Sequence, residues 1–270
     1  TKTFGSDYIA QMLRQLGYKY VAINPGSSFR GLHDSIVNDL QNKDPSFLLC
    51  LHEEHAVSIA HGWGKVTREP MAVILHSNVG LMHGSMAVYN AWCDRVPISI
   101  FGATGPLDAD KRRPWIDWIH TSRDQGSLVR DFTKWDDQPT SLQASLDSMS
   151  RAYSIAKTVP QGPTYVCFDV SVQEAPVNVP PLLPDPNTFK APRVPGVNPH
   201  DLEQLTELLK QADNPIFLMG RLPVCETNWF NRIALAEFFN AKVITDIKTN
   251  ISFPSSHPNS VGAPGFFLSE

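Results

Sequence analysis

Long apolar runs and extended clusters of basic residues are both missing from this 270-residue sequence. No run approaches the roughly 18 consecutive apolar residues of a membrane-spanning helix, and the first residues lack the charged-then-apolar layout of a signal peptide. Lys and Arg number 23 against 27 Asp and Glu, without the extended basic cluster that displaces counterions from nucleic-acid phosphates. These absences predict a cytoplasmic protein with neither a membrane nor a nucleic-acid partner.

Cysteine is also scarce, with four residues that lie far apart in the chain. Most of them fall in apolar runs such as FLLC and YVCF, so they are expected to be small buried hydrophobes in a reducing compartment rather than a disulfide framework or a zinc knot. The four are Cys50, Cys93, Cys167 and Cys225.

Apolar and amphipathic stretches alternate over residues 1–178, which indicates an α/β domain. Continuous apolar strands separated by helices are typical of a parallel sheet covered on both faces, so we expect a doubly wound parallel sheet. The predicted strands are 20–23, 47–51, 71–75, 98–101 and 164–168, and the predicted helices are 6–16, 29–40, 54–66, 81–92 and 142–157.

A proline-rich segment ends this first domain. Eight of the 22 prolines lie between Pro176 and Pro199 (176, 180, 181, 184, 186, 192, 195 and 199), which predicts an extended linker over 179–199. Beyond it, α/β alternation restarts over 200–270, with helices at 201–212 and 229–239 and strands at 215–219 and 242–245. Roughly 70 residues are few for an independent α/β domain, so this part is expected to be incomplete and the chain partial.

Three predicted turns carry polar residues that could form a site. The first strand ends in NPGSS (24–28), the second in HEEH (52–55) and the third in HSNVG (76–80). Ligands of parallel sheets bind beyond the carboxyl ends of the strands. If these strands are neighbours, the turns bring a carboxylate, an imidazole and hydroxyl groups into one crevice, which predicts an acid–base site.

Each of these features also fits a purely structural role. NPGSS can be a turn with a helix cap, and either glutamate of HEEH can simply favour the helix dipole. His76 can be a hydrogen-bonded core histidine. A loop at 111–120 offers basic residues for an anionic substrate or for solvent, and aromatic residues for packing or for a ligand. The residues concerned are Lys111, Arg112, Arg113, Trp115, Trp118 and, further on, Trp135.

Standard metal and phosphate motifs are not found. HEEH places two histidines three residues apart, but the HExxH and HxxEH patterns of zinc proteases are both missing, so no metal ligand is predicted within this chain. The sequence also lacks GxxxxGK[ST] and GxGxxG, which excludes a P-loop and the Rossmann fingerprint.

Three stretches together resemble the pyrimidine-binding domain of thiamine-diphosphate-dependent enzymes, in the decarboxylase and acetolactate-synthase branch. They read NPGSSFRGLHDSI, LHEEHAVSIAHGWGKVTREPMAVILHSNVG and MAVYNAWCDRVPISIFGAT. The closest local match is to benzoylformate-decarboxylase-like members, which share the NPGS turn, the LHS and the downstream NAW. Residues 214–220 and 253–262 resemble the opening of the family's middle domain.

The resemblance implies roles for individual residues. Glu53 would bond to ring nitrogen N1′ of the cofactor's aminopyrimidine, and its burial would keep it protonated near neutrality, with Glu54 as an accessory residue. His76 and Ser27 would relay protons and hold the substrate carboxylate. The remaining contacts to the cofactor would come from Pro25, Gly26, Ser77, Gly80 and His83, the last standing where the family usually has Asn.

The resemblance also implies a reaction and its components. We expect decarboxylation of a 2-oxo acid, with carboligation to a second carbonyl as a further outcome. An acetolactate-synthase-like carboligase and a catalytically silent or regulatory subunit are the alternatives. The cofactors implied are thiamine diphosphate and Mg²⁺, and a flavin is not expected. The GDG…N motif of the family does not occur, so the metal and diphosphate ligands are expected outside this chain, on a copy in a homodimer or homotetramer or on a separate subunit.

Overall fold

The computed structural model describes residues 3–222, 224–246, 249 and 251–262. The termini of the predicted ranges 1–178 and 200–270 therefore lie partly outside the described residues. The chain divides into two compact units, with the division between Pro192 and Arg193.

A six-stranded parallel sheet forms the centre of the first unit. Its strands are β1 Tyr20–Ile23, β2 Ser46–Leu49, β3 Met71–Leu75, β4 Ile98–Thr104, β5 Asp136–Asp137 and β6 Pro163–Asp169. They are hydrogen-bonded in the order β2-β1-β3-β4-β6-β5, every pair parallel. The predicted α/β fold with a doubly wound parallel sheet is confirmed.

Helices cover both faces of this sheet. They are α1 Gly5–Gln15, α2 Arg30–Asp34, α3 Glu53–Thr67, α4 Ser77–Cys93, α5 Leu142–Lys157 and α6 Val170–Glu174. Alternate strand residues belong to separate buried clusters: Val21 and Ile23 pack with residues of α1, α2 and α5, whereas Ala22 packs with residues of α3 and α4. Burial on both faces explains why the strands are continuously apolar.

Two boundaries differ from the prediction at the positions that matter for the site. Strand β2 stops at Leu49, and Leu51 is 89% exposed, because His52 already caps α3. Helix α4 begins at Ser77 rather than at residue 81. The short strand β5 escaped prediction because an Asp-Asp pair has little intrinsic strand propensity. This strand pairs with β6, with Asp136 opposite Tyr165 and Asp137 opposite Val166.

All four cysteines lie among the described residues and none forms a disulfide, but only Cys50 and Cys167 are buried. The predicted burial is wrong for Cys93 and Cys225, because both lie at helix termini: Cys93 is the last residue of α4, and Cys225 directly precedes the helix Glu226–Phe238. Among the described residues, no helix combines the length and apolar composition needed to cross a bilayer.

The second unit holds a three-stranded parallel sheet. Its elements are α7 Pro199–Gln211, β7 Ile216–Met219, α8 Glu226–Phe238, β8 Lys242–Thr245 and β9 Ser260–Gly262, with the strand order β7-β8-β9. Met219, Ala236, Val243 and Phe253 form a small core. Ile216 and Leu218 are 62% and 66% exposed, so one face of β7 has little cover within the described part of this unit.

Candidate functional site

The three polar turns lie side by side because β1 is hydrogen-bonded to both β2 and β3. The three strands are parallel and adjacent, so their carboxyl ends meet at one edge of the sheet. The turn after β1, the cap of α3 after β2 and the start of α4 after β3 therefore surround one crevice. The expectation that these strands are neighbours is confirmed.

The turn after β1 makes close contact with His76. Ser28 Oγ lies 2.8 Å from His76 Nδ1, and Ser28 is 7% exposed. A Cβ atom on Gly26 would lie 2.3 Å from His76 Cγ, so only glycine allows the ring to approach this backbone. The neighbouring Ser27 is exposed. Sequence reasoning selected Ser27 and missed Ser28, because which of two adjacent serines meets the histidine depends on the turn conformation.

A second histidine, His120, lies against His76. The two ring centroids are 4.8 Å apart at an interplanar angle of 67°. Helix α4 holds the segment that carries His120: Ser77 Oγ donates to the carbonyl of His120, and Asn78 Nδ2 donates to the carbonyl of Ile119 at 3.3 Å. Sequence reasoning treated this segment as an aromatic and basic loop and did not identify His120.

These surroundings control the protonation of His76. Burial lowers the pKa of the imidazole, and the charge of His120 lowers it further, against an opposing effect of Glu53. His76 is therefore neutral near pH 7 and offers one nitrogen as a proton acceptor and the other as a donor. Such a group can both accept and deliver a proton during a reaction.

Glu53 is the buried carboxyl group of the crevice. It is the first residue of α3 and is 5% exposed. Its Oε2 atom lies 3.3 Å from His83 Nδ1. A Cβ atom on Gly80 would lie 3.2 Å from Glu53 Oε1, so the glycine leaves room for the carboxylate between α3 and α4. The structure thus brings Glu53, Gly80 and His83 together.

The pKa of Glu53 is lower than that of a free glutamate. Burial acts to raise it, but hydrogen bonds from its own backbone N–H, from the side chain of Asn24 and from His83, together with the charge of His83, outweigh that effect. The carboxyl group is therefore ionised near neutrality in this structure, unlike the expectation that burial keeps it protonated. Asn24, the first residue of NPGSS, is a further contact that sequence reasoning did not assign.

The other predicted residues have more peripheral places. Glu54 is exposed, and its backbone N–H donates to His52 Nδ1 at 3.1 Å. Pro25 and Ser27 line a pocket of about 350 Å³ beside the turn. Ser77 is fully buried, and its hydroxyl positions the loop that carries His120.

The basic run of this loop is engaged in local structure. Arg113 pairs with the buried Asp117 at 3.2 Å, and Arg112 donates to the carbonyls of Pro106 and Leu107. Trp115 and Trp118 are 73% and 74% exposed, so they pack little. Trp135 packs against the core instead.

The first unit is thus a parallel α/β domain that brings a buried carboxyl group and two histidines, His76 and His120, to one edge of its sheet. Residues 4–128 match the family described as thiamine pyrophosphate enzyme, N-terminal TPP binding domain. The match covers just under half of the chain, and the thiamine pyrophosphate of its description is also called thiamine diphosphate.

Two curated relatives are similar in sequence. The chain is 26% identical to benzoylformate decarboxylase of Pseudomonas aeruginosa, over 78% of this chain and 38% of that protein. It is 24% identical to the acetolactate synthase large subunit of Lactococcus lactis, over 97% of this chain and 44% of that protein. The chain therefore spans about two fifths of the length of these relatives.

Among solved structures, benzoylformate decarboxylase from Polynucleobacter necessarius has a TM-score of 0.79 at 23% identity. The match covers 97% of this chain and 47% of that one. At this identity, the likeness supports the fold alone.

Proposed function

We propose that the protein is a thiamine-diphosphate-dependent enzyme that decarboxylates a 2-oxo acid, and that the crevice described above receives the pyrimidine half of the cofactor. One observation carries this proposal, the buried Glu53 carboxyl group at the start of α3, with space kept open beside it by Gly80. When bound, thiamine diphosphate supplies a carbon nucleophile and an electron sink.

The residues of the crevice fit the pyrimidine. Glu53 would meet the ring nitrogen N1′. A side chain at position 80 would crowd the Glu53 carboxylate, since the added Cβ atom would lie 3.2 Å from Glu53 Oε1. His83 Nδ1, at 3.3 Å from the same carboxyl group, would hold its second oxygen. We place the Mg²⁺ and diphosphate ligands outside this sequence, in a partner copy, in a separate subunit or in a further part of the same protein.

Glu53 must carry a proton to donate to a ring nitrogen. Its pKa is held low by hydrogen bonds and by the charge of His83, in competition with burial. A ring packed over the carboxyl group would exclude water and strengthen the effect of burial, which raises the pKa. Binding of the pyrimidine would therefore move Glu53 towards the protonated form that a general acid–base role requires.

His76 and Ser28 would act on the substrate. A neutral imidazole can take up a proton or deliver one, and the Ser28 hydroxyl at 2.8 Å from Nδ1 fixes its orientation. His120 lies against the same ring and would set how readily it takes a proton. Ser27, exposed beside the crevice, stays a candidate for holding the substrate carboxylate.

The substrate class rests on the relatives. The relative from P. aeruginosa is named for benzoylformate, an aromatic 2-oxo acid, and a histidine pair that can deliver protons suits release of an aldehyde. A second candidate is an acetolactate-synthase-like carboligase. The L. lactis relative favours it, because that match extends over 97% of this chain. A catalytically silent subunit is the third candidate.

The experiment uses the full-length protein with thiamine diphosphate and Mg²⁺. Benzoylformate and pyruvate are supplied separately, and carbon dioxide, aldehyde and acetolactate are measured. We expect aldehyde as the main product, and turnover at least about 10²-fold lower in Glu53→Gln, within the usual range for an acid–base residue.

Glu54→Gln is the matched comparison, because Glu54 is the exposed neighbour on the same helix and the resemblance gives it only an accessory role. It should keep turnover within a few-fold of wild type. Acetolactate as the main product would favour the carboligase. Full cofactor binding without turnover of any 2-oxo acid would favour the silent subunit and refute the proposal.

A further inference from the structure

Two imidazoles flank the Glu53 carboxylate. His52 is the residue that caps α3, and His83 lies on α4. Their rings stack with centroids 5.2 Å apart and planes 14° from parallel. One ligand atom from each of His52, Glu53 and His83 lies within 4.8 Å of the other two.

We propose that His52, Glu53 and His83 form a binding site for a divalent transition metal of the Zn²⁺ class. Two imidazoles and one carboxylate are a known three-residue donor set for zinc, with a fourth position left to water. Nitrogen ligands make Mg²⁺ and Ca²⁺ poor occupants, since these ions prefer oxygen.

Glu53 and His83 are already at ligand spacing, and the remaining adjustment concerns His52. Bonds of about 2.0–2.2 Å to a tetrahedral ion place its ligand atoms roughly 3.4 Å apart. His83 Nδ1 and Glu53 Oε2 are already 3.3 Å apart. The widest separation in the group, up to 4.8 Å, must shorten by about 1.4 Å. The His83 side chain is 54% exposed, so it can rotate without disturbing the core.

One contact opposes binding. His52 Nδ1 accepts the Glu54 backbone N–H at 3.1 Å, so this ring nitrogen is already used by the helix cap. A metal bound to this imidazole must weaken or break that hydrogen bond. We therefore expect a dissociation constant in the micromolar range rather than the tighter binding of a preformed structural zinc site.

The sequence alone does not predict this site, because the HEEH spacing pairs His52 with His55 rather than with His83. His55 is exposed, its ring centroid lies 5.6 Å from that of His52, and it is not part of the ligand group. The third ligand comes instead from α4, 30 residues after Glu53. His55 thus provides a matched control on the same helix.

A metal at this site would occupy the carboxylate that we assign to the pyrimidine. This consequence rests on the proposed function, whereas the metal site itself does not. Binding of Zn²⁺ and of the pyrimidine should therefore be mutually exclusive, so that the metal acts as an inhibitor.

The test is a titration of the chain with Co²⁺, followed by its visible d–d absorption, and with Zn²⁺ by calorimetry. We expect one ion per chain, and affinity at least tenfold weaker in His52→Asn, His83→Asn and Glu53→Gln. His55→Asn should bind as wild type. Circular dichroism checks that each variant keeps its fold.

No binding at one equivalent, or equal losses in His55→Asn and His83→Asn, would overturn the metal site. A second arm adds thiamine diphosphate and Mg²⁺ to the Co²⁺-loaded full-length protein, and loss of the cobalt spectrum is expected. A spectrum unchanged at saturating cofactor would leave the metal site standing and refute the placement of the pyrimidine on Glu53.

Discussion

Burial and neighbouring groups act against each other on Glu53 but in the same direction on His76. Glu53 is almost fully buried, yet hydrogen bonds from its own backbone N–H, from Asn24 and from His83 hold its pKa low. His76 combines burial with the charge of a second histidine, and both lower its pKa. The sequence identifies both residue types at strand ends but not their partners, because Asn24, Ser28 and His120 are brought to them by folding.

Opposite charge changes near His76 should move its pKa in opposite directions. His120→Gln removes a positive neighbour, so the pKa of His76 should rise. Glu53→Gln removes a negative neighbour, so the pKa should fall. Burial, which lowers the pKa of His76 most, is nearly the same in both variants.

The measurement is an NMR titration of the His76 ring in wild type and in each variant. Ser27→Ala is the control, since this residue is exposed and has no place among the causes of the His76 shift. Shifts of the same sign in His120→Gln and Glu53→Gln would contradict this electrostatic description.

At the scale of elements, the strands and the three polar turns could be predicted because their signals are local. Apolar runs bounded by turn residues identify β1, β3 and β4 directly. The start of α4 and the end of β2 were predicted less accurately. At both positions a helix begins where the apolar pattern alone indicates a different boundary. Leu51 continues the apolar run of β2, yet it is 89% exposed, since the chain must already turn towards His52.

The turn after β1 offers a test at this scale. The Cβ atom of Gly26→Ala would lie 2.3 Å from His76 Cγ, so either the turn or the imidazole must move. We expect a loss of about 1–3 kcal/mol in the free energy of unfolding, the usual effect of overpacking, together with lower turnover.

Gly62→Ala is the matched control. This glycine lies inside α3, and an added Cβ atom would meet nothing within 4 Å. Alanine should therefore be neutral or stabilising by up to about 1 kcal/mol. Urea denaturation of both variants measures the difference, and equal stabilities would show that the turn tolerates a side chain beside His76.

At the scale of the whole molecule, α4 presents an exposed apolar stripe. Val79, Met82, Met86 and Tyr89 are 40%, 53%, 55% and 45% exposed, at the helical spacing of one face. Leu81 on the same helix is fully buried and belongs to the core. Exposed stripes of this kind favour association, so we expect the isolated chain to self-associate.

Light scattering and sedimentation velocity test this expectation. Met82→Lys combined with Met86→Lys should shift the chain towards the monomer, whereas Val159→Lys, an exposed apolar residue in the loop after α5, should not. A wild-type chain that is monomeric at high micromolar concentration would contradict the expected self-association.

Calorimetry of the same chain should show no tight binding of thiamine diphosphate with Mg²⁺, because a tight diphosphate site needs metal ligands or a nest of backbone N–H groups.

Exchange of the C2 proton of thiamine diphosphate with deuterium oxide tests most directly whether Glu53 activates the cofactor. The full-length protein is loaded with cofactor and Mg²⁺, quenched at short times and analysed by NMR, without any substrate. Wild type and Glu54→Gln should exchange the C2 proton much faster than free cofactor does, and Glu53→Gln should be slower than wild type by at least about 10²-fold. Equal exchange rates in wild type and Glu53→Gln, with the cofactor bound in both, would contradict the assignment of Glu53 and the function proposed from it.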